Sequence, residues 1–154
     1  MNAVVVYFSK FGNTKKVAEA VAQGLGKDKN VRIVSSAELA PADFDAVDLV
    51  VVGSPTHKMN LPESVRQVFD QLPHKILKGK LIAAFDTSYK MSGWLNHFTA
   101  GKKLTRKLCK LGGKRITPPE IFLVAEREGP LFEGEITRAK EWGASILNLL
   151  QRTV

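Results

Sequence analysis

The sequence predicts an α/β fold, a doubly wound parallel sheet of five strands in the order 2-1-3-4-5 with helices on both faces. Three observations carry that prediction. Short, continuous apolar runs such as AVVVYF and DLVVVG read as strands buried on both faces. Amphipathic segments of helical period alternate with them, the pattern of parallel βαβ units. In that strand order the crevice for a ligand lies beyond the carboxyl ends of strands one and three, and the loops at those ends are rich in hydroxyl side chains.

The first strand is Ala3–Phe8. Asn13–Leu25 follows as a helix, with Val17, Ala18, Val21, Ala22 and Leu25 on one face and Gly26 as its stop. Val31–Ser35 is the second strand, and a short helical turn is expected near Leu39–Phe44. Asp48–Gly53 is the third strand. Leu61–Leu72 is a helix with Pro62 tolerated in its first turn and Val65, Val68, Phe69 and Leu72 buried. Lys80–Asp86 is the fourth strand. Ala100–Leu111 is a basic helix with Leu104, Leu108 and Leu111 inside, stopped by Gly112-Gly113. Arg115–Ala125 is the fifth strand, and Pro118-Pro119 within it demands an edge or a bulge. Glu135–Leu150 is the last helix, with Ile136, Ala139, Gly143, Ile146, Leu147 and Leu150 aligned.

At 154 residues and 44% hydrophobic, residues 1–154 suit a single domain with a real core. Cys109 has no partner for a disulfide, no Cys/His spacing suggests zinc, and the thiol is expected to be part-buried. No basic segment precedes the first apolar run and no run approaches the length of a membrane span, so a cytoplasmic location is expected. The net charge of +8 is unevenly distributed. Residues 71–119 hold 11 basic side chains and one acidic, Asp86, while residues 1–70 are balanced at 8 and 8. The basic helix Lys102, Lys103, Arg106, Lys107, Lys110, with Lys114 and Arg115, is read either as a solvated face or as a docking surface for an acidic redox partner or an anionic membrane. Nucleic acid is not expected, because the stretch lacks interleaved aromatics and a recognition motif.

Three loops carry the chemistry. Ser9-Lys10-Phe11-Gly12-Asn13-Thr14 leaves a strand and opens a helix, where unpaired N–H groups and the helix dipole favour a phosphate. The competing reading is a plain turn with Asn13 or Thr14 as the helix cap. Gly53–Pro62 and Asp86–Trp94 are the other two. The first loop resembles the phosphate loop of the flavodoxin family, T/S-x-T-G-x-T, at Ser9, Gly12 and Thr14, with Phe11 in place of the middle hydroxyl residue. The run YFSKFGNTKKVAEAVAQGL is similar to the start of many such domains.

The resemblance spans essentially the whole chain and implies bound FMN. It places the phosphate on Ser9, Lys10, Phe11, Gly12, Asn13 and Thr14. It places the ribityl chain and flavin ring beside Ser54, Pro55, Thr56 and His57, with Met59 near the ring, and beside Thr87, Ser88, Tyr89 and Lys90. Tyr89 is the expected stacking ring, with Trp94 more often core. No glycine follows Gly53 in the second loop, unlike most flavodoxins. Lys58 and Lys90 within these loops would raise the flavin's potential. The resemblance implies an electron carrier. An FMN-dependent reductase or oxidase of a quinone or protoporphyrinogen-like molecule stands second, and a flavin-free interaction module third. An apolar surface at Leu61, Leu131 and Phe132 is also expected.

Overall fold

The computed structural model describes residues 1–26, 30–56, 60–89 and 100–153. In chain order the elements are β1 (Asn2–Tyr7), α1 (Asn13–Leu25), β2 (Asn30–Ser35), a 3₁₀ turn (Pro41–Phe44), β3 (Leu49–Pro55), α2 (Glu63–Asp70), β4 (Leu81–Ser88), α3 (Ala100–Lys110), β5 (Lys114–Arg115), β6 (Glu120–Leu123) and α4 (Glu135–Thr153). The strands run parallel in the order β2-β1-β3-β4-β5, with β6 also on β4. The 2-1-3-4-5 order of the sequence prediction is therefore the order observed.

The fifth strand is broken where the prolines fall. β5 pairs Arg115 with Ile82, and β6 pairs Glu120 with Phe85. Over that interval β4 advances three residues and the edge five. Pro118 and Pro119 have no N–H to give to the ladder, so the edge bulges around them and rejoins.

The pleat divides the core in two. Val5, Val51 and Phe85 point to one face, where Val17, Val21 and Leu25 of α1 and Trp142, Ile146 and Leu150 of α4 cover them. Val4, Val6, Val50, Val52 and Ile82 point to the other, under Val65 and Phe69 of α2 and Leu104 and Leu108 of α3. Strand residues buried on both faces explain why these runs show no polar alternation. Phe85, Phe122 and Trp142 meet edge to face, with centroids 5.8, 6.0 and 6.1 Å apart.

On the first face α1 and α4 approach unusually closely. A Cβ at Gly24 would fall on the Lys140 carbonyl, and one at Gly143 on the Val21 carbonyl. Small residues at the crossing let the backbones touch.

Several details differ from the sequence reading. Ile136 is 43% exposed, and Trp142 fills the stripe instead, one step of the i, i+3, i+4 pattern from Ala139. Cys109 is exposed, on the outer side of α3. Leu61 is buried against the α2 and α3 face, so it belongs to no exposed patch, whereas Phe132 is exposed. Leu111 is only half-buried at the end of its helix.

Candidate functional site

The carboxyl ends of β1, β3 and β4 open into one cleft of about 910 Å³. Its walls come from the residue 8–14 loop, the β2 exit (Ser36, Ala37), Pro55 and Thr56, α2, the end of β4 with Tyr89, and Val124 and Arg127 after β6.

The start of α1 is built to receive an anion. The cap position is Gly12, whose φ of +91° suits glycine, and it offers no side chain to the helix. Its own N–H donates to Ser9 Oγ at 3.0 Å. Asn13 and Thr14 do not cap the helix either. The Asn13 amide donates to the Glu128 carbonyl at 3.1 Å, and Thr14 Oγ1 hydrogen bonds Thr87 Oγ1 at 2.8 Å. The first turn has no acidic residue to meet the helix dipole and carries Lys15 and Lys16 instead. A self-satisfied turn, the competing reading of this loop, would have used one of those side chains as its cap. The helix end is left electropositive, without a side-chain cap, and Asn13 and Thr14 of its first turn line the cleft.

Ser88, at the end of β4, is 3% exposed and lines the cleft, and its buried Oγ has no hydrogen-bond partner among the described residues. A buried hydroxyl left unpaired costs about 1–3 kcal/mol. Tyr89 beside it is 44% exposed and Phe11 42%, two large rings at the cleft's mouth. Lys10 Nζ lies 5.4 Å from the centre of the Phe11 ring. Pro55, Pro62, Val65 and Val68 give one wall an apolar surface. The cleft thus has a donor-rich end at α1 and an apolar stretch along α2, suited to a ligand with a phosphate and a flat ring.

Other predicted residues act behind the cleft. Ser54 is fully buried and donates to the Pro55 carbonyl at 2.9 Å, away from the lining. Thr56 lines the cleft, but its hydroxyl is committed. It donates to Asp86 Oδ1 at 3.2 Å and accepts from the Ala100 N–H at 3.1 Å. Asp86, fully buried, also accepts from the Gly101 N–H at 2.9 Å. This carboxylate anchors the start of α3. Its signal in the sequence is the acid that ends an otherwise apolar strand. Lys103 Nζ reaches Asn60 Oδ1 at 2.7 Å and ties α3 to the end of the second loop. His57, Met59, Lys58, Lys90 and Trp94 lie outside the described residues.

The loop after β6 was not anticipated as part of the site. Glu135, at the start of α4, accepts from the Leu123 N–H at 2.7 Å and from Arg138. Arg138 also pairs with Glu120 at 2.7 Å, donates to the Ile121 carbonyl and covers the Phe122 ring at 4.5 Å. The Arg138 hydrogen bond, aided by the Leu123 N–H and opposed by burial, holds the Glu135 carboxyl below its ordinary range. This network clamps β6 to α4 at both roots of the loop that carries Arg127 to the cleft. Among the described residues no group of side chains could hold a metal ion, and no helix is long and apolar enough to cross a membrane.

A family profile for the flavodoxin domain matches residues 4–115. A flavodoxin from Clostridium saccharobutylicum is 26% identical over 168 aligned positions, covering 99% of this chain and 99% of that protein. Flavodoxin FldP of Pseudomonas aeruginosa is 32% identical over 98 positions, 59% of this chain and about half (53%) of that protein's length. Among solved structures, a flavodoxin from the domain Archaea superimposes with a TM-score of 0.77 at 26% identity, over 98% of this chain and 99% of that one.

Proposed function

This chain belongs to the flavodoxin domain family, and on that premise we propose that it is an electron-transfer protein whose cleft holds one FMN. The observation that carries the reading is the uncapped start of α1 opening into the same cleft that Ser88 lines, with the Ser88 hydroxyl unpartnered among the described residues. The residues present fit the group. Phosphate belongs to the N–H groups of the residue 9–14 loop, where donors outnumber acceptors and no acid repels it. Thr87, held in place by Thr14, would offer its hydroxyl to the ligand, with Ser88 beside it in the lining. Tyr89 offers the flat face for stacking, and Pro55, Val65 and Val68 keep water from the ring's inner side.

Bound FMN supplies reversible reduction by one or two electrons, and the protein supplies binding, orientation and electrostatics. The Thr56–Asp86, Thr56–Ala100 and Asp86–Gly101 hydrogen bonds hold Thr56, the end of β4 and the start of α3 in fixed relation beside the cleft. The exposed cations Arg106, Lys110, Lys114 and Arg115 suit an acidic protein or an anionic membrane surface.

The test is anaerobic, stepwise reduction of the FMN-loaded protein, followed by reoxidation with ferricyanide. A carrier returns the electrons it was given and shows no sustained turnover of NADPH with a quinone. Sustained turnover would replace this reading with that of a quinone reductase.

A further inference from the structure

We infer that Arg127 is the phosphate-pairing cation of this cleft, so that affinity for FMN depends on a charge–charge contact from the loop after β6. The inference rests on the FMN reading and goes beyond it. Residues 124–131 form a closed hairpin. Val124 bridges Leu131, the Ala125 N–H donates to the Pro130 carbonyl at 2.9 Å, and the Gly129 N–H donates to the Glu126 carbonyl at 3.0 Å. Arg127 and Glu128 sit at the tip. The tip is pinned to the first residue of α1 by the Asn13 amide, 3.1 Å from the Glu128 carbonyl. Arg127 is therefore one residue from a direct contact with the phosphate loop, and it lines the same cleft as Ser9, Asn13 and Thr14.

The charges around it leave it available. Its neighbours Glu126 and Glu128 are exposed, yet Arg127 forms no ion pair among the described residues, whereas Arg32, Lys107 and Arg138 each do. Of the other cations nearby, Lys10 is drawn over the Phe11 ring, and Lys15 and Lys16 are exposed on α1. N–H and hydroxyl donors solvate a phosphate without neutralising it. A guanidinium does both, through a planar fork matched to two phosphate oxygens. Phe11, where the family's loop has a hydroxyl, removes one donor that Arg127 replaces from the opposite side.

The experiment compares FMN with riboflavin, which lacks the phosphate, by fluorescence titration of the apoprotein. R127Q is expected to weaken FMN about 10-fold, the effect of losing one charge-assisted contact, and to leave riboflavin unchanged. R127K is expected to fall between, keeping charge without the fork, and high salt narrows the gap between wild type and R127Q. Wild-type affinity for FMN in R127Q would overturn the assignment. Equal weakening of both ligands would overturn it too, because a hairpin that merely shapes the cleft affects the ring as much as the phosphate. Wild-type protein that binds riboflavin and FMN equally excludes any phosphate contact, and protein that binds neither fails the FMN reading itself.

Discussion

Ser88 illustrates how one side chain can be poor for the empty fold and good for the filled one. Its hydroxyl is buried without a partner among the described residues, a state that costs stability. Ser88→Ala is therefore expected to leave the apoprotein as stable as wild type, or more stable by up to about 1 kcal/mol, in urea unfolding. The same change is expected to weaken flavin retention several-fold. Loss of apoprotein stability would mean that the hydroxyl has a structural partner. Some of this was legible in the sequence. Serine and threonine at three strand ends marked the cleft, because hydroxyls there have no core to join. Which of them stay free was not legible. Thr56 and Ser54 look equivalent to Ser88 in the chain, yet the first is consumed by Asp86 and Ala100 and the second by its neighbour's carbonyl. The Thr56 partner is set by strand register, which juxtaposes Ser54 with Asp86 and Pro55 with Thr87, whereas the Ser54 bond is local.

At the scale of elements, α1 and α4 depend on glycine. Gly143→Ala places a methyl group against the Val21 carbonyl, and neither backbone can yield without moving its helix. A loss of about 1–3 kcal/mol is expected in chemical denaturation. No change would show that the helices slide apart freely. The α4–β6 clamp gives a pH dependence. Glu135 has its carboxyl held down by Arg138 and the Leu123 N–H. A depressed folded pKa adds stability above the ordinary glutamate value of 4.5, and that stability is lost as pH falls through the depressed value. Asp43, lowered by the Ala40 N–H and by Arg32, acts in the same direction. Melting temperature is thus expected to drop on acidification below about pH 4.5, with a shallower drop in Glu135→Gln. An identical acid limb in the variant would remove Glu135 from the account. Element identity was legible because apolar runs and helical stripes are long and regular. The split of the fifth strand was legible from Pro118 and Pro119. The Glu135 clamp was not, since its carboxylate and Arg138 read as an ordinary i, i+3 surface pair until β6 is laid beside them.

For the whole molecule, topology separates two features that the sequence leaves undistinguished. The cleft lies at the carboxyl ends of the strands. Lys110, Lys114 and Arg115 lie at the opposite end, since Lys114 pairs with Leu81, the first residue of β4, and Ser88 ends that strand. Eight residues of strand place them about 23 Å apart along the sheet. A partner held by those cations sits away from the flavin's expected position, whereas Lys103 at the α3 start reaches Asn60 of the second loop. Charge reversal at Lys110 and Lys114 is accordingly expected to leave FMN affinity unchanged within about 2-fold, because solvent and salt screen charges at that distance. The central claim is that this cleft holds FMN, and one measurement tests it most directly: the visible absorption spectrum of the protein after FMN is added and the excess removed by gel filtration. The account predicts a retained flavin band equivalent to one FMN per chain. A folded protein, intact by circular dichroism, that emerges without flavin would contradict it.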